Sequence, residues 1–309
     1  MSLNENLLSH RITSRQSPSL PEPRLEPLRY INTTRLQVAY YEDGPADGKV
    51  ILLFHGWPYD IHSYTDVASA LVKQGFRVIV PYLRGNGPVT FLKADTFRSG
   101  EQAALGYDII ELLDALEIPS AIFAGYDWGG RGACVAAAYL IQDLSKAWIP
   151  LAASIEAGFW YFYYLLTPRG ESALAQHPKD IARIVWNKNS PKWNYTEADL
   201  DRAAETSVNP DYVSIVTHVY RHRLLYAPGD PDYAAFETTL LSQPSITVPT
   251  VTLDGLADGN FPSTNGSSSS QCFTGPRVHH QVVDAGHNLP QEKPQAFIDA
   301  IFEVMSLNK

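Results

Sequence analysis

Gly125-Tyr126-Asp127-Trp128-Gly129-Gly130 (GYDWGG) is the stretch on which the reading of this chain turns. It follows the short apolar run SAIFA (120–124) and opens WGGRGACVAAAYLIQDL (128–144), which reads as a helix. A sharp strand-to-helix turn needs small residues around its apex, because the backbone there is crowded and strained. Gly-x-Ser-x-Gly meets that need in serine hydrolases. Here the flanking glycines are kept and an aspartate stands at the apex. Turn propensity alone would also place Asp and Gly together, so the weight of the motif comes from its surroundings.

Upstream, LQVAYYE (36–42), KVILLFHG (49–56) and FRVIVP (76–81) read as strands, and the continuous apolar character of the last two suits strands covered on both faces. HSYTDVASALVKQG (62–75) and EQAALGYDIIELLDALEI (101–118) have helical periodicity, the first ending in Gly75 as a C-cap. AWIPLAAS (147–154) is expected to be a further strand. The rhythm then breaks into an aromatic-rich, helix-forming stretch. It resumes with TVTLDG (250–255), VHHQVVDAG (278–286) and the helix KPQAFIDAIFEVM (293–305). Alternating strands and helices imply right-handed crossovers and a mostly parallel central sheet with helices on both faces, an α/β architecture. The expected organisation is an extended Pro-rich arm over 1–28, a core over 29–154 and 246–309, and a helical cap inserted over 155–245. The serine-rich TNGSSSSQ (264–271) reads as a surface connection.

Composition narrows the function classes. The 309 residues are 45% hydrophobic and 18% charged, with a formal net charge of −9. That charge repels a phosphate backbone, which argues against nucleic-acid binding. Two cysteines, Cys134 and Cys272, make no disulfide framework and no metal spacing. Neither a signal peptide nor an 18-residue apolar span is visible, so the expectation is a soluble cytoplasmic protein without a membrane partner. The arm offers a surface for a homodimer.

Two more segments carry chemistry, each after an expected strand, where open parallel sheets place their ligand sites. HGWP (55–58) can supply a backbone N–H from Trp57 to an oxyanion hole whose second N–H comes from Trp128. A plain Gly-Pro strand exit would look the same, and Pro58 also permits a cis peptide. DAGHNLP (284–290) offers His287 on the same sheet edge as Asp127, in reach of its bonds through one water. His279 and His280 lie within the strand and read as structural. An acid should set the histidine's tautomer. Asp258 in LDGLADG is preferred over Asp254, which sits at the strand end, and Glu156 is held in reserve.

Together HGWP, GYDWGG and DAGHNLPQE resemble the α/β-hydrolase superfamily and, within it, the branch of epoxide hydrolases and of haloalkane and haloacetate dehalogenases. The resemblance implies Asp127 as nucleophile, His287 and Asp258 as the water-activating pair, and no cofactor or metal. A carboxylate with a reference pKa of ~3.9 is ionised at neutral pH and can displace at sp3 carbon without a base. Epoxide opening also needs a proton donor for the alkoxide, a task epoxide hydrolases give to two lid tyrosines. GFWYFYYLLTPRG (158–170) resembles the first such segment, with Tyr161 at the acid position and Tyr163 and Tyr164 as rivals. THVYRHR (217–223) resembles the second, with Tyr220, and with Arg221 orienting the lid by an ion pair or a carbonyl bond. Lids are also aromatic simply to build apolar pockets.

The expected substrate is a small apolar electrophile in a pocket that includes His55, Pro58, Tyr164 and Arg131. Tyr126 departs from the His common in epoxide hydrolases, and PYLRGNGP (81–88) from their usual loop. Arg131 and Trp128 resemble features of haloacetate and haloalkane dehalogenases respectively, which keeps dehalogenation as the alternative. A ligand-binding protein of the same fold without turnover is the alternative of another class.

Overall fold

The computed structural model describes residues 24–136, 143–261 and 263–307. Its strands are β1 (Leu28–Asn32), β2 (Leu36–Asp43), β3 (Val50–Phe54), β4 (Arg77–Pro81), β5 (Thr90–Phe91), β6 (Ile122–Gly125), β7 (Thr250–Gly255) and β8 (Arg277–Val282). The core helices are α1 (Thr65–Lys73), α2 (Gln102–Ala115) and α3 (Asp127–Ala136). The helical insert comprises α4 (Ala153–Glu156), α5 (Trp160–Leu165), α6 (Pro168–Gln176), α7 (Pro178–Asn189), α8 (Glu197–Ala204) and α9 (Tyr212–Arg223). Then come α10 (Ala234–Leu241), α11 (Leu289–Glu292) and α12 (Pro294–Ser306). Most of the extended arm expected over 1–28 lies outside the described residues; of its end, Arg24 pairs with Glu205 and Leu25 is buried.

The apolar runs are continuous because both faces of the sheet are covered. Successive strand side chains point to opposite faces, and the packing follows that alternation. Ile51 and Leu53 of β3, with Val78 and Val80 of β4, meet α1 through Val67 and Leu71, and α12 through Phe297 and Ile301. Leu52, Phe54 and Ile79 point the other way, into a core shared with Ile109 and Leu112 of α2 and with Phe162 and Tyr220 of the insert. Gly75, with φ +84°, ends α1 in the left-handed conformation its position required.

The sheet is mixed and comes in two pieces. Five strands run in the order β1-β2-β4-β3-β6, with β5 on β2; β3 is parallel to β4 and β6, while β2 is antiparallel to β1, β4 and β5. A separate parallel pair joins β7 to β8. Among the described residues no strand bridges β6 and β7. The strand expected at 147–154 is absent. A short 3-10 turn over Leu144–Lys146, capped by Asp143, leads instead to an irregular stretch and α4. Pro150 has no N–H to give a ladder, and Trp148 and Ile149 are 65% and 63% exposed, with Trp148 resting on Tyr226. The helix expected over 128–144 runs to Ala136, and residues 137–142 lie outside the described residues. No helix among the described residues is long and apolar enough to cross a membrane.

Candidate active site

Strand register brings the first two motifs together. Phe54 pairs with Gly125 at the ends of the parallel strands β3 and β6, so the loops that follow leave the same edge side by side. Asp127 opens α3 with φ +51°, a conformation disfavoured for any residue with a Cβ. Glycines make this turn possible. A Cβ on Gly56 would lie 2.6 Å from the Asp127 Cβ, and one on Gly129 would lie 2.1 Å from the Phe54 carbonyl oxygen. The Trp57 N–H donates to Asp127 Oδ1 at 2.8 Å, and the Trp128 N–H also donates to this carboxylate. Both backbone donors expected of an oxyanion hole therefore converge on it.

His287 reaches the other carboxylate oxygen. Its Nε2 stands 3.3 Å from Asp127 Oδ2, and its Nδ1 donates to Asp258 Oδ2 at 2.7 Å. The second Asp258 oxygen accepts the N–H groups of Asn260 and Phe261, which orients the acid, and the Phe261 ring stacks on the imidazole with centroids 5.3 Å apart. Burial pushes the Asp127 carboxyl up, but hydrogen bonds from His287, Trp57 and Trp128 outweigh it and hold the carboxyl below its usual value. Burial pulls the His287 imidazole down, yet the Asp127 and Asp258 carboxylates together raise it to about 10. At neutral pH the pair is therefore an ion pair.

The aromatic insert roofs this dyad. Tyr161 of α5 and Tyr220 of α9 are 4% and 2% exposed, with ring centroids 5.5 Å apart, and both pack on Trp57. Burial, with the Asp127 charge adding to it, raises both phenols, so both stay protonated. Tyr220 accepts from the Trp128 indole, and Tyr212 accepts from the Trp57 indole at 2.8 Å. Of the two rivals in the tyrosine-rich segment, Tyr163 is exposed and donates to Glu156, and Tyr164 rests half-buried on Trp160.

Other expected residues fall elsewhere. Glu156, the reserve acid, is tied to Tyr163 and the Leu151 N–H and is no partner of His287. Asp254 shapes its turn by accepting from Thr264, as expected. His55 is fully buried with both ring nitrogens on backbone groups, Gly56 O and Leu83 N, so it braces the loop rather than facing a ligand. The Pro58 carbonyl takes the Trp186 indole N–H of the insert. Arg131 lines a small cleft behind Trp128 with Arg223, Leu105 and Val219. Arg221 pairs with Glu171 across the insert, as expected. His279 contacts Thr252 and Thr264, and His280 contacts Glu303, both structural.

Several contributors were not singled out from sequence. Ser190, after α7, accepts the His287 N–H and donates to Glu292, which in turn accepts the N–H groups of Gly286 and Asn288. Glu292 stood in the quoted DAGHNLPQE run; Ser190 had no local signal. Tyr212 was likewise unmarked, whereas Arg223 ended the quoted THVYRHR run; burial followed by the nearby Arg131 lowers Arg223 to about 9.

Residues 49–294 match the family described as the alpha/beta hydrolase fold. The chain belongs to that family. This α/β-hydrolase is 41% identical to a Klebsiella pneumoniae protein of known structure named as a candidate epoxide hydrolase, with a TM-score of 0.87 over 90% of this chain and 96% of that one. It is 24% identical to epoxide hydrolase A of Mycobacterium tuberculosis, over 90% of this chain and 97% of the relative. Epoxide hydrolase A of Mycobacterium thermoresistibile, 20% identical, shares the fold with a TM-score of 0.68 over 91% of this chain and 98% of that one. The resemblance read from the three motifs is borne out at the level of family and fold.

Proposed function

We propose that this α/β-hydrolase opens an epoxide to a vicinal diol through a covalent ester on Asp127. In this reading Oδ2 attacks an epoxide carbon from behind, the ring C–O bond breaks, and Tyr161 and Tyr220 hydrogen-bond and protonate the departing alkoxide. The product is a hydroxyalkyl ester of Asp127. His287 then takes a proton from water as its oxygen adds to the ester carbonyl carbon. The charge on Oδ1 develops against the Trp57 and Trp128 N–H groups. The phenolate left by the first step regains its proton from the His287 imidazolium before that ring acts as base. On collapse the ester C–O bond breaks and the leaving alkoxide takes the proton of the new Asp127 carboxyl. The carboxylate–imidazolium pair is restored, so the net change is epoxide plus water giving diol.

The ion pair explains the timing of the base. Alkylation removes the Asp127 charge and with it one of the two carboxylates that raise His287. The imidazole then becomes able to lose its proton, so the base is armed only once there is an ester to cleave.

The single observation that carries the epoxide reading is the pair of buried, protonated phenols of Tyr161 and Tyr220, whose rings pack on Trp57 and which feel the charge of Asp127. A halide site would want the Trp57 and Trp128 indole N–H groups turned toward the leaving group, and both are taken by phenols, Tyr212 and Tyr220. The complete acid–base–nucleophile chain weighs against a ligand-binding protein without turnover. The 41% identical relative supports the same activity.

A styrene-oxide-type substrate should yield diol, and haloacetate should yield no halide. The Tyr161→Phe/Tyr220→Phe double variant should lose epoxide opening by on the order of 10³-fold. His287→Gln should stall with one substrate mass added to the Asp127 peptide. Undiminished diol formation by the double variant would remove the reading.

A further inference from the structure

A second chemically loaded cluster lies outside the dyad. Glu101 at the start of α2, His222 near the end of α9 and Glu237 in α10 bring one ligand-type atom each to within 4.8 Å of one another. All three are buried, at 1%, 8% and 9% exposure. Two carboxylates and one imidazole meet in a buried space, and a carboxylate pair in such a place is costly unless a positive charge balances it.

The hydrogen bonds around the cluster are arranged from outside. Glu101 Oε1 accepts the Ser99 hydroxyl at 2.9 Å and the Asp230 N–H at 3.0 Å. Glu237 accepts the Ala103 N–H at 3.1 Å and the Gln102 amide at 3.2 Å. Surrounding donors thus fix both carboxylates, as outer partners do around metal ligands. The independent observation is Glu101 Oε2. It is wholly buried, has no hydrogen-bond partner, and faces His222 Nε2 at 3.4 Å. Gly229 lets the backbone close over this spot, since a Cβ there would lie 2.1 Å from Glu101 Oε2 and 3.0 Å from His222 Nε2. Glu101 and His222 also line the cleft behind Trp128, a route of entry for an ion.

We infer that Glu101, His222 and Glu237 form a three-ligand site for a divalent cation of the zinc type, with the remaining coordination position left to water. Mixed carboxylate and imidazole ligation suits Zn2+. Such an ion would tie α2 of the core to α9, the helix that carries Tyr220, and to α10. It takes no part in the proposed hydrolysis.

Chelator-stripped full-length protein titrated with zinc chloride by calorimetry should bind one equivalent per chain, and its melting temperature should rise with zinc. Glu237→Gln and His222→Gln should each weaken binding at least ten-fold and abolish the melting shift, while Glu237→Gln keeps its epoxide turnover as a check on the fold. Absence of saturable binding by the wild type, or binding by both variants as tight as that of the wild type, would overturn the assignment. Because binding and melting are read without substrate, either outcome stands apart from the fate of the epoxide reading.

Discussion

The nucleophile and the base stand 3.3 Å apart, yet they are held by different kinds of structure. Asp127 sits on a continuous sheet, where β3 and β6 pair residue by residue and Gly56, Gly125 and Gly129 leave the turn one way to pack. His287 comes from the detached β7–β8 pair, and its loop is tied down by the side chains of Ser190 and Glu292. One position is set by backbone sterics within two short motifs. The other is set by polar bonds that reach 97 residues along the chain. Steric placement by paired strands is stiff, whereas side-chain tethers are adjustable.

The sharpest way to break this contrast is Gly56→Ala. The new Cβ has no room beside Asp127, and a displacement of about 1 Å at a reacting atom costs on the order of 10²-fold or more. We expect diol formation to fall by at least that factor, with alkylation itself impaired in single-turnover mass spectrometry. Ser190→Ala should do the opposite. Loss of a hydrogen bond worth about 1 kcal/mol slows ester hydrolysis by roughly five- to ten-fold while alkylation is spared. Equal damage to both half-reactions in Ser190→Ala would mean that the base is not separately tethered.

The smallest expected effect is in pH. Asp127 is held below its usual value, so alkylation should stay flat across neutral pH and fade only as the carboxyl protonates in acid. Hydrolysis should rise with pH, because in the ester His287 has lost one of the two partners that lift it to about 10. Stability runs through the same ion pair. The share due to His287 is complete below its unfolded pKa of ~6.5 and is lost as pH climbs toward about 10. The share due to Asp127 is present above ~3.9 and is lost as pH falls through its depressed folded value. Stopped-flow alkylation, ester decay and thermal melts across pH read the three behaviours.

Sequence reading follows the same divide. What local sterics encode was legible: the strands of continuous apolar character, Gly75 ending α1, and the glycines flanking Asp127. The expected partners Asp258, Trp57 and Trp128 also arrive where strand ends converge. What depends on distant packing was not legible. Ser190 sits in an insert whose helices are amphipathic but carry no motif for its task. AWIPLAAS looked like a strand from its apolar residues, but a ladder needs the N–H that Pro150 lacks, and its large side chains lie in solvent. His55 looked like pocket lining, yet its ring serves two backbone groups.

Ser190 belongs to the roof, not to the floor on which His287 rests. A guest bulky enough to lift the α7–α8 connection would draw away the hydroxyl that accepts the His287 backbone N–H, leaving Glu292 to hold the loop and Asp258 to hold the ring.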